Sequence, residues 1–452
     1  MPEPVAKPSA HSAMLGTLVA EAGLLFATLV TGSLTARLLL PEGRGALAAI
    51  LYWPQLLAGI GLLSIHEATT YRVGSRSESA SSARTSALCL LIVLAGVTMA
   101  AGSALIPRFL TGAERSGLAT LSQVYLLTFI PFHFVASALY ASDQGELRFL
   151  RYNTLRLVNC LIYLGGVLLL WSMDRVTPGT VMAANCAGTV VVATLRLLVQ
   201  GRTLWARPSW AEMGILLRLA GRFHPATVLL FLAMQIDRLV VMTLWDNEAL
   251  GQYVVAFSMA SAGLSVVGAA SHRVLFPHLA RVVDADAQAK LLARGVRHAT
   301  LLLFALAVPL GLFMRPLMLG VFGPSFAGVV ETSRVLVLAS AAIAVRTIVI
   351  QGLRGLGDGR PGTIAAAVSI AVFLATTRPL GASLGLAGVA VALAIGNIAA
   401  CAYLGGHLYR RYQLSPRELW GLNAATVAEL WNARPRMARA PRDGRVGAHA
   451  AP

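Results

Sequence analysis

The chain has 452 residues, 56% of them hydrophobic and only 13% charged, with a formal net charge of +17. A water-soluble domain carries roughly a quarter of its residues as charges, so the usual polar coat is missing and lipid is the expected solvent around most of the surface. An arginine surplus that would point to nucleic acid in a soluble chain is expected here in loops beside a membrane.

The first residues hold a single Lys7, and the apolar stretch after them is too long for the core of a cleavable leader. It reads as a first span. Runs of about 20 apolar residues can cross a bilayer. They occur near 14–36, 46–71, 86–106, 118–141, 157–173 and 179–199, and after a polar stretch near 225–245, 250–272, 299–314, 329–353, 361–377 and 383–407. The expected fold is an all-α polytopic membrane protein of about twelve transmembrane helices.

Orientation follows the bias of Lys and Arg toward the cytoplasm. One set of alternating connections holds Lys7, Arg72, Arg76, Arg84, Arg148, Arg151 and Arg156, the basic residues of 196–222, 273–297 and 354–360, and a basic tail. The other set holds only Arg37, Arg44, Arg108, Arg115, Arg175, Arg315 and Arg378. Both termini are therefore expected in the cytoplasm, and the connections on the outer side are all short. Membrane enzymes of envelope glycans usually carry their chemistry on sizeable extramembrane segments, which this map does not contain.

Six spans precede the 196–222 connection and six follow it. The expected organisation is a six-helix lobe over 1–195, an interfacial connection over 196–224, a second lobe over 225–407 and a basic tail over 408–452. Two hairpins give a faint sign of duplication: setting Gly45 on Gly251 aligns Glu42 with Glu248. Asp143-Gln144-Gly145 likewise resembles Gly357-Asp358-Gly359. In the tail, Ser415-Pro416-Arg417-Glu418 is a capping box with proline at the first helical position. Trp420, Ala424, Val427 and Trp431 share one face of the helix it starts, which suits a membrane surface.

Several stretches resemble the polysaccharide flippases (Wzx type) of the multidrug/oligosaccharidyl-lipid/polysaccharide exporter superfamily. They are Arg37-Leu38-Leu39-Leu40-Pro41-Glu42-Gly43-Arg44-Gly45, Gln235-Ile236-Asp237-Arg238-Leu239, Leu250-Gly251-Gln252-Tyr253 and Phe276-Pro277-His278-Leu279-Ala280. Val321-Phe322-Gly323-Pro324-Ser325-Phe326, Gly359-Arg360-Pro361 and Leu384-Gly385-Leu386-Ala387-Gly388 complete the set. The resemblance implies two six-helix lobes around a central cavity, alternating access, and transfer of an undecaprenyl-diphosphate-linked oligosaccharide to the outer leaflet of the bacterial inner membrane. It also implies the polymerase and glycosyltransferases of the same pathway as partners. The drug-exporting branch shares the fold, so a cation-coupled exporter of small amphiphiles stays open, as does a membrane-embedded glycan enzyme.

Charges within the hydrocarbon layer cost about 2.5–3.5 kcal/mol each on insertion scales, so each needs a reason. A lipid diphosphate calls for cations on a watery cavity, because arginine offers phosphate a planar fork. Arg346, Arg238, Arg334 and Arg37 meet that need, and each alternatively pairs with a carboxylate or snorkels. Asp237, Glu21 and Glu67 are candidates for ion coupling, since protonation removes a buried carboxylate's desolvation cost; the alternative is a structural ion pair. His66 and His133 are further ionisable candidates inside the spans. No phosphate-binding loop, catalytic triad or metal-ligand spacing occurs, and Cys89, Cys160, Cys186 and Cys401 all lie in apolar runs. No cofactor, metal or catalytic residue is expected.

Overall fold

The computed structural model describes residues 10–75, 80–110, 113–200, 206–279 and 284–421; the side chains of 10–21, 80, 113–116, 200, 269–279 and 285–286 are not described. The described residues form helices and no strands. In chain order these are α1 (Ala10–Gly61), α2 (Ile65–Gly74), α3 (Ala80–Phe109), α4 (Ala113–Gly145), α5 (Phe149–Ser172), α6 (Pro178–Gln200), α7 (Trp210–Leu232) and α8 (Ile236–Leu244). They continue as α9 (Asn247–Leu279), α10 (Ala285–Leu312), α11 (Met314–Phe322), a 3-10 turn at Pro324–Val329, α12 (Val330–Gly355), α13 (Arg360–Leu384), α14 (Leu386–Tyr412) and α15 (Pro416–Trp420).

Eleven of the described helical stretches are long and apolar enough to cross a membrane. The first runs 40 residues, Ala22–Gly61, about 60 Å at 1.5 Å per residue and twice the hydrocarbon thickness. It crosses twice because it breaks at Leu40, whose φ of 59° and ψ of 177° are not helical. Pro41 is the cause: the ring disfavours the α conformation in the residue before it, and proline then starts the next helix without an N–H to satisfy. Counted so, the described residues hold twelve stretches able to cross, and the chain is a multi-pass membrane protein.

Two crossings are themselves broken. The second bends between Gly61 and Ile65, where Leu63 and Ser64 take positive φ (45° and 57°), and continues as α2. The seventh starts at Trp210, earlier than the apolar run suggests, stops at Leu232, and resumes as α8 after Ala233-Met234-Gln235. The hydroxyl of Tyr52 donates to the Gln235 carbonyl at 3.1 Å, satisfying an acceptor freed by this break.

Helices α1 to α6 pack largely on one another, as do α9 to α14. Beside the hydrogen bonds of Arg37 to the end of α11, two joints link the groups. At the end carrying the hairpins of Leu40 and Trp245, α1 crosses α9 so closely that no side chain fits between them. A Cβ on Gly45 would run into the Asn247 carbonyl oxygen and lie 2.9 Å from the Gly251 nitrogen. One on Gly251 would run into the Pro41 carbonyl oxygen and lie 2.7 Å from the Gly45 nitrogen. The second joint is the broken seventh crossing. Its α7 segment is tied to α2 by the bidentate pair of Arg72 with Glu212 (2.7 and 3.0 Å), and to α3 by the Ser209 N–H donating to Ser86 Oγ (3.0 Å). Its α8 segment packs on α9 and α14.

The capping box at Ser415 and Glu418 forms as expected. The helix it starts docks on α10 and α14, with Leu419 fully buried and Trp420 against Gly405. Ala424, Val427, Trp431 and the basic stretch beyond lie outside the described residues.

Candidate functional site

Between the two helix groups, just inside the α1–α9 crossing, lies a cleft of about 120 Å³. Its wall from α1 is set by helical spacing: Arg44, Ala48, Leu51, Tyr52 and Gln55 recur every three or four residues and so share a stripe. The facing wall comes from the break and first turns of α8, with Gln235, Arg238 and Met242, and from Leu250 and Val254 of α9. The lining contains two guanidinium groups, two amides and a phenol, and no carboxylate.

Neither arginine is neutralised among the described residues. Arg238 Nη1 donates to Gln235 Oε1 (3.2 Å), and its guanidinium lies over the Phe257 ring at 5.5 Å, while its Nε is buried without a partner. The Arg44 Nε is likewise buried without a partner. Asp237 is next to Arg238 but about 100° round the helix. It is 2% exposed and accepts from the Tyr253 hydroxyl at 3.0 Å, so its charge is turned away from the cleft. Its place in the first turn of α8 sets it against the positive end of that helix.

Of the four arginines expected at a phosphate site, only Arg238 lines the cleft. Arg37 donates from Nε to the Val321 carbonyl at 2.8 Å and from Nη2 to the Gly320 carbonyl, both at the end of α11. Arg334 pairs with Glu331 (2.6 Å) and donates to the Gly311 carbonyl (3.2 Å). Arg346 is 2% exposed within α12, with Nε and Nη1 unpartnered among the described residues. Of the carboxylates, Glu67 accepts from Thr227 Oγ1 of α7 at 3.1 Å, and the Glu21 side chain lies outside the described residues. His133 stacks on Phe129 at 4.6 Å between ring centroids.

The residue that sequence reasoning missed is Arg44. Its position beside Pro41-Glu42-Gly43 reads as a loop, whereas the helix starts at Pro41 and carries it inward. The stripe from Arg44 to Gln55 was the available signal. A group of three or more histidine, cysteine, aspartate or glutamate side chains fit for a metal is absent among the described residues, and the four cysteines are free thiols.

The sequence profile of a family described as polysaccharide biosynthesis protein matches residues 34–331. No curated protein sequence matches. Among solved structures, the inward closed conformation of the lipid II flippase MurJ superposes with a TM-score of 0.72 at 13% identity, covering 94% of this chain and 92% of that one. An inward-facing multidrug resistance MATE family transporter of the MOP superfamily gives 0.64 at 16% identity, covering 88% and 94%. A Vibrio cholerae MATE transporter gives 0.60 at 15%, covering 89% and 95%. At these identities the likeness is one of fold.

Proposed function

Since this chain belongs to the polysaccharide biosynthesis protein family, we propose that it moves an undecaprenyl-diphosphate-linked oligosaccharide from the cytoplasmic to the outer leaflet of the bacterial inner membrane. The work is transport by alternating access, for surface polysaccharide synthesis, and not catalysis. The observation that carries this reading is the pair Arg44 and Arg238, two guanidinium groups facing a cleft that offers them no carboxylate. Two unneutralised forks in a confined site call for a multivalent anion. At about 120 Å³ the cleft is well below the ~300–1,000 Å³ of a whole-ligand pocket. It suits a diphosphate, with the glycan and prenyl chain lying outside it. The similar fold of a lipid II flippase supports a lipid-linked cargo.

An exporter of cationic amphiphiles would need negative charge at this place, and the nearest carboxylate, Asp237, is spent on Tyr253. On the flippase reading, the basic end and both termini are cytoplasmic, and the Gly45–Gly251 crossing closes the outer end. The two groups of helices, 1–195 and 225–407, then rock about that crossing. Asp237, Glu67 and Glu21 are the groups through which an ion would couple to the motion. The polymerase and glycosyltransferases of the pathway are the expected partners.

Arg44→Ala and Arg238→Ala are expected to lower surface glycan at least tenfold at equal membrane abundance, since one charge-assisted hydrogen bond contributes about 1.5–3 kcal/mol. Arg44→Lys keeps the charge, loses the fork and recovers part of the export. Full glycan in both alanine variants overturns the reading. Intact glycan together with raised drug sensitivity in a deletion strain favours the multidrug exporter instead.

A further inference from the structure

Arg238 keeps its charge open to the cleft because of what stands one turn before it. Its one side-chain hydrogen bond among the described residues runs from Nη1 to Oε1 of Gln235 at 3.2 Å. A guanidinium has donors only, so the oxygen of the amide, and not its NH2, must face Arg238. The Phe257 ring lies against the same guanidinium, with the central carbon 5.5 Å from the ring centroid. Both contacts fix the direction of the fork, and neither brings a negative charge. Nε stays buried with nothing to bond.

Gln235 is itself held from two sides. It occupies the break of the seventh crossing, with φ −123° and ψ −13°, immediately before α8. Its backbone carbonyl accepts from the Tyr52 hydroxyl at 3.1 Å, which ties it to the α1 wall. Gln235, Arg238 and Tyr52 all line the cleft. The nearest carboxylate in sequence, Asp237, is 2% exposed and accepts from Tyr253, so it does not take this place. Position 235 is thus the place from which a carboxylate would close the Arg238 fork. Glutamate has the size and shape of glutamine and differs in charge. In its place, the oxygen at 3.2 Å would form a charge-assisted pair with Arg238. That carboxylate would occupy the fork that the cleft otherwise offers to a ligand, and would repel phosphate oxygens besides.

We propose that Gln235 is a specificity-determining residue: its amide aims the Arg238 fork into the cleft without neutralising it, and so makes the cleft select a lipid diphosphate over an uncharged lipid. This rests on the flippase reading and names what sets the sign of its cargo. The order of effects separates this role from one in packing. If Gln235 only held the break together, an isosteric glutamate would serve better than methionine, which keeps the length and loses the hydrogen bond. If Gln235 sets the sign, glutamate is the worse replacement.

The test uses the full chain in phosphatidylcholine nanodiscs, titrated with undecaprenyl diphosphate and, as the uncharged probe, with undecaprenol. Gln235→Glu is expected to weaken undecaprenyl diphosphate binding about tenfold or more, and Gln235→Met about threefold. Gln413→Glu makes the same change at an exposed residue just past α14 and leaves binding unchanged. Undecaprenol is expected to bind alike to all four proteins. Full undecaprenyl diphosphate binding in Gln235→Glu, with loss in Arg44→Ala/Arg238→Ala, overturns the role of Gln235 and leaves the flippase reading standing. A loss in Gln235→Met as large as in Gln235→Glu makes the residue one of packing and also overturns it. So does an equal loss of undecaprenol in Gln235→Glu, which marks a distorted cleft. Failure of the unaltered protein to bind undecaprenyl diphosphate overturns both readings.

Discussion

At the scale of single residues, the arginines divide by what surrounds them. Arg196 is buried, and it shares Asp143 with Arg151 through contacts of 2.5 and 2.6 Å that join α4, α5 and α6. Removing one partner of a buried pair leaves an uncompensated charge and costs about 3–5 kcal/mol. Asp143→Asn is therefore expected to lower the melting temperature sharply in detergent, and a melting curve equal to the unaltered protein's would refute that structural role. Arg346 is the opposite case, a buried cation without a partner among the described residues. Replacing such a charge with an apolar side chain of similar volume is neutral or stabilising by about 1–4 kcal/mol. Arg346→Met is expected to match or raise the melting temperature while lowering glycan export. Unchanged export would show that the phosphate role expected for Arg346 is not needed. Arg346 lies within α12, inside the apolar run that sequence marks, yet hydropathy cannot tell a helix side facing a cleft from one facing another helix.

At the scale of elements, the spans were legible and their interruptions were not. Runs of apolar residues locate crossings because the bilayer demands them, and Pro41 announces the break at Leu40. Nothing comparable marks Ala233-Met234-Gln235, where ordinary residues leave the helix between α7, which packs on α2, α3 and α13, and α8, which packs on α9 and α14. The α1–α9 crossing was half legible, since Gly45 and Gly251 align as a possible repeat, but their contact is a fact of tertiary packing. Each glycine's absent side chain faces backbone, which cannot swing aside. Gly45→Ala and Gly251→Ala are each expected to hold the crossing apart, lengthening the distance between spin labels on Glu42→Cys and Glu248→Cys. An unchanged distance would count against the crossing as drawn. For α15, hydrogen bonds from the Ser415 backbone and side chain hold Glu418 below the ordinary glutamate range. A carboxylate depressed on folding stabilises above its unfolded value, near 4.5, and loses that contribution as pH falls through the folded one. Protection of the 416–420 amides from hydrogen exchange, relative to the intrinsic rate at each pH, is thus expected to be flat from about pH 8 to 5 and to fall in more acid solution. A loss of protection already at pH 6 would exclude the cap as its cause.

At the scale of the whole molecule, the two helix groups meet through backbone at one end and through a divided helix along the side. Their charges are equally divided. The basic connections gather at the end opposite the α1–α9 crossing, which is why the proposed orientation has that crossing outside. A membrane-impermeant thiol reagent is expected to label Glu42→Cys and Glu248→Cys on intact cells, and Arg411→Cys only after lysis. Labelling of Arg411→Cys on intact cells would invert the arrangement. The cleft itself was the least legible feature, because one wall comes from α1 and the other from the distant α8–α9 hairpin, and its size depends on how closely two glycines allow them to approach.

That approach has a consequence for how such a chain can change over generations. A contact made by side chains can drift, since one partner compensates for the other. A contact made of two bare backbones has no chemistry to trade. Saturation mutagenesis should therefore find Gly45 and Gly251 intolerant of every replacement. Glu42 and Glu248, one turn before them and exposed, should accept most. Variety in cargo would then have to arise lower in the path, at the arginines, while the joint above them stays fixed.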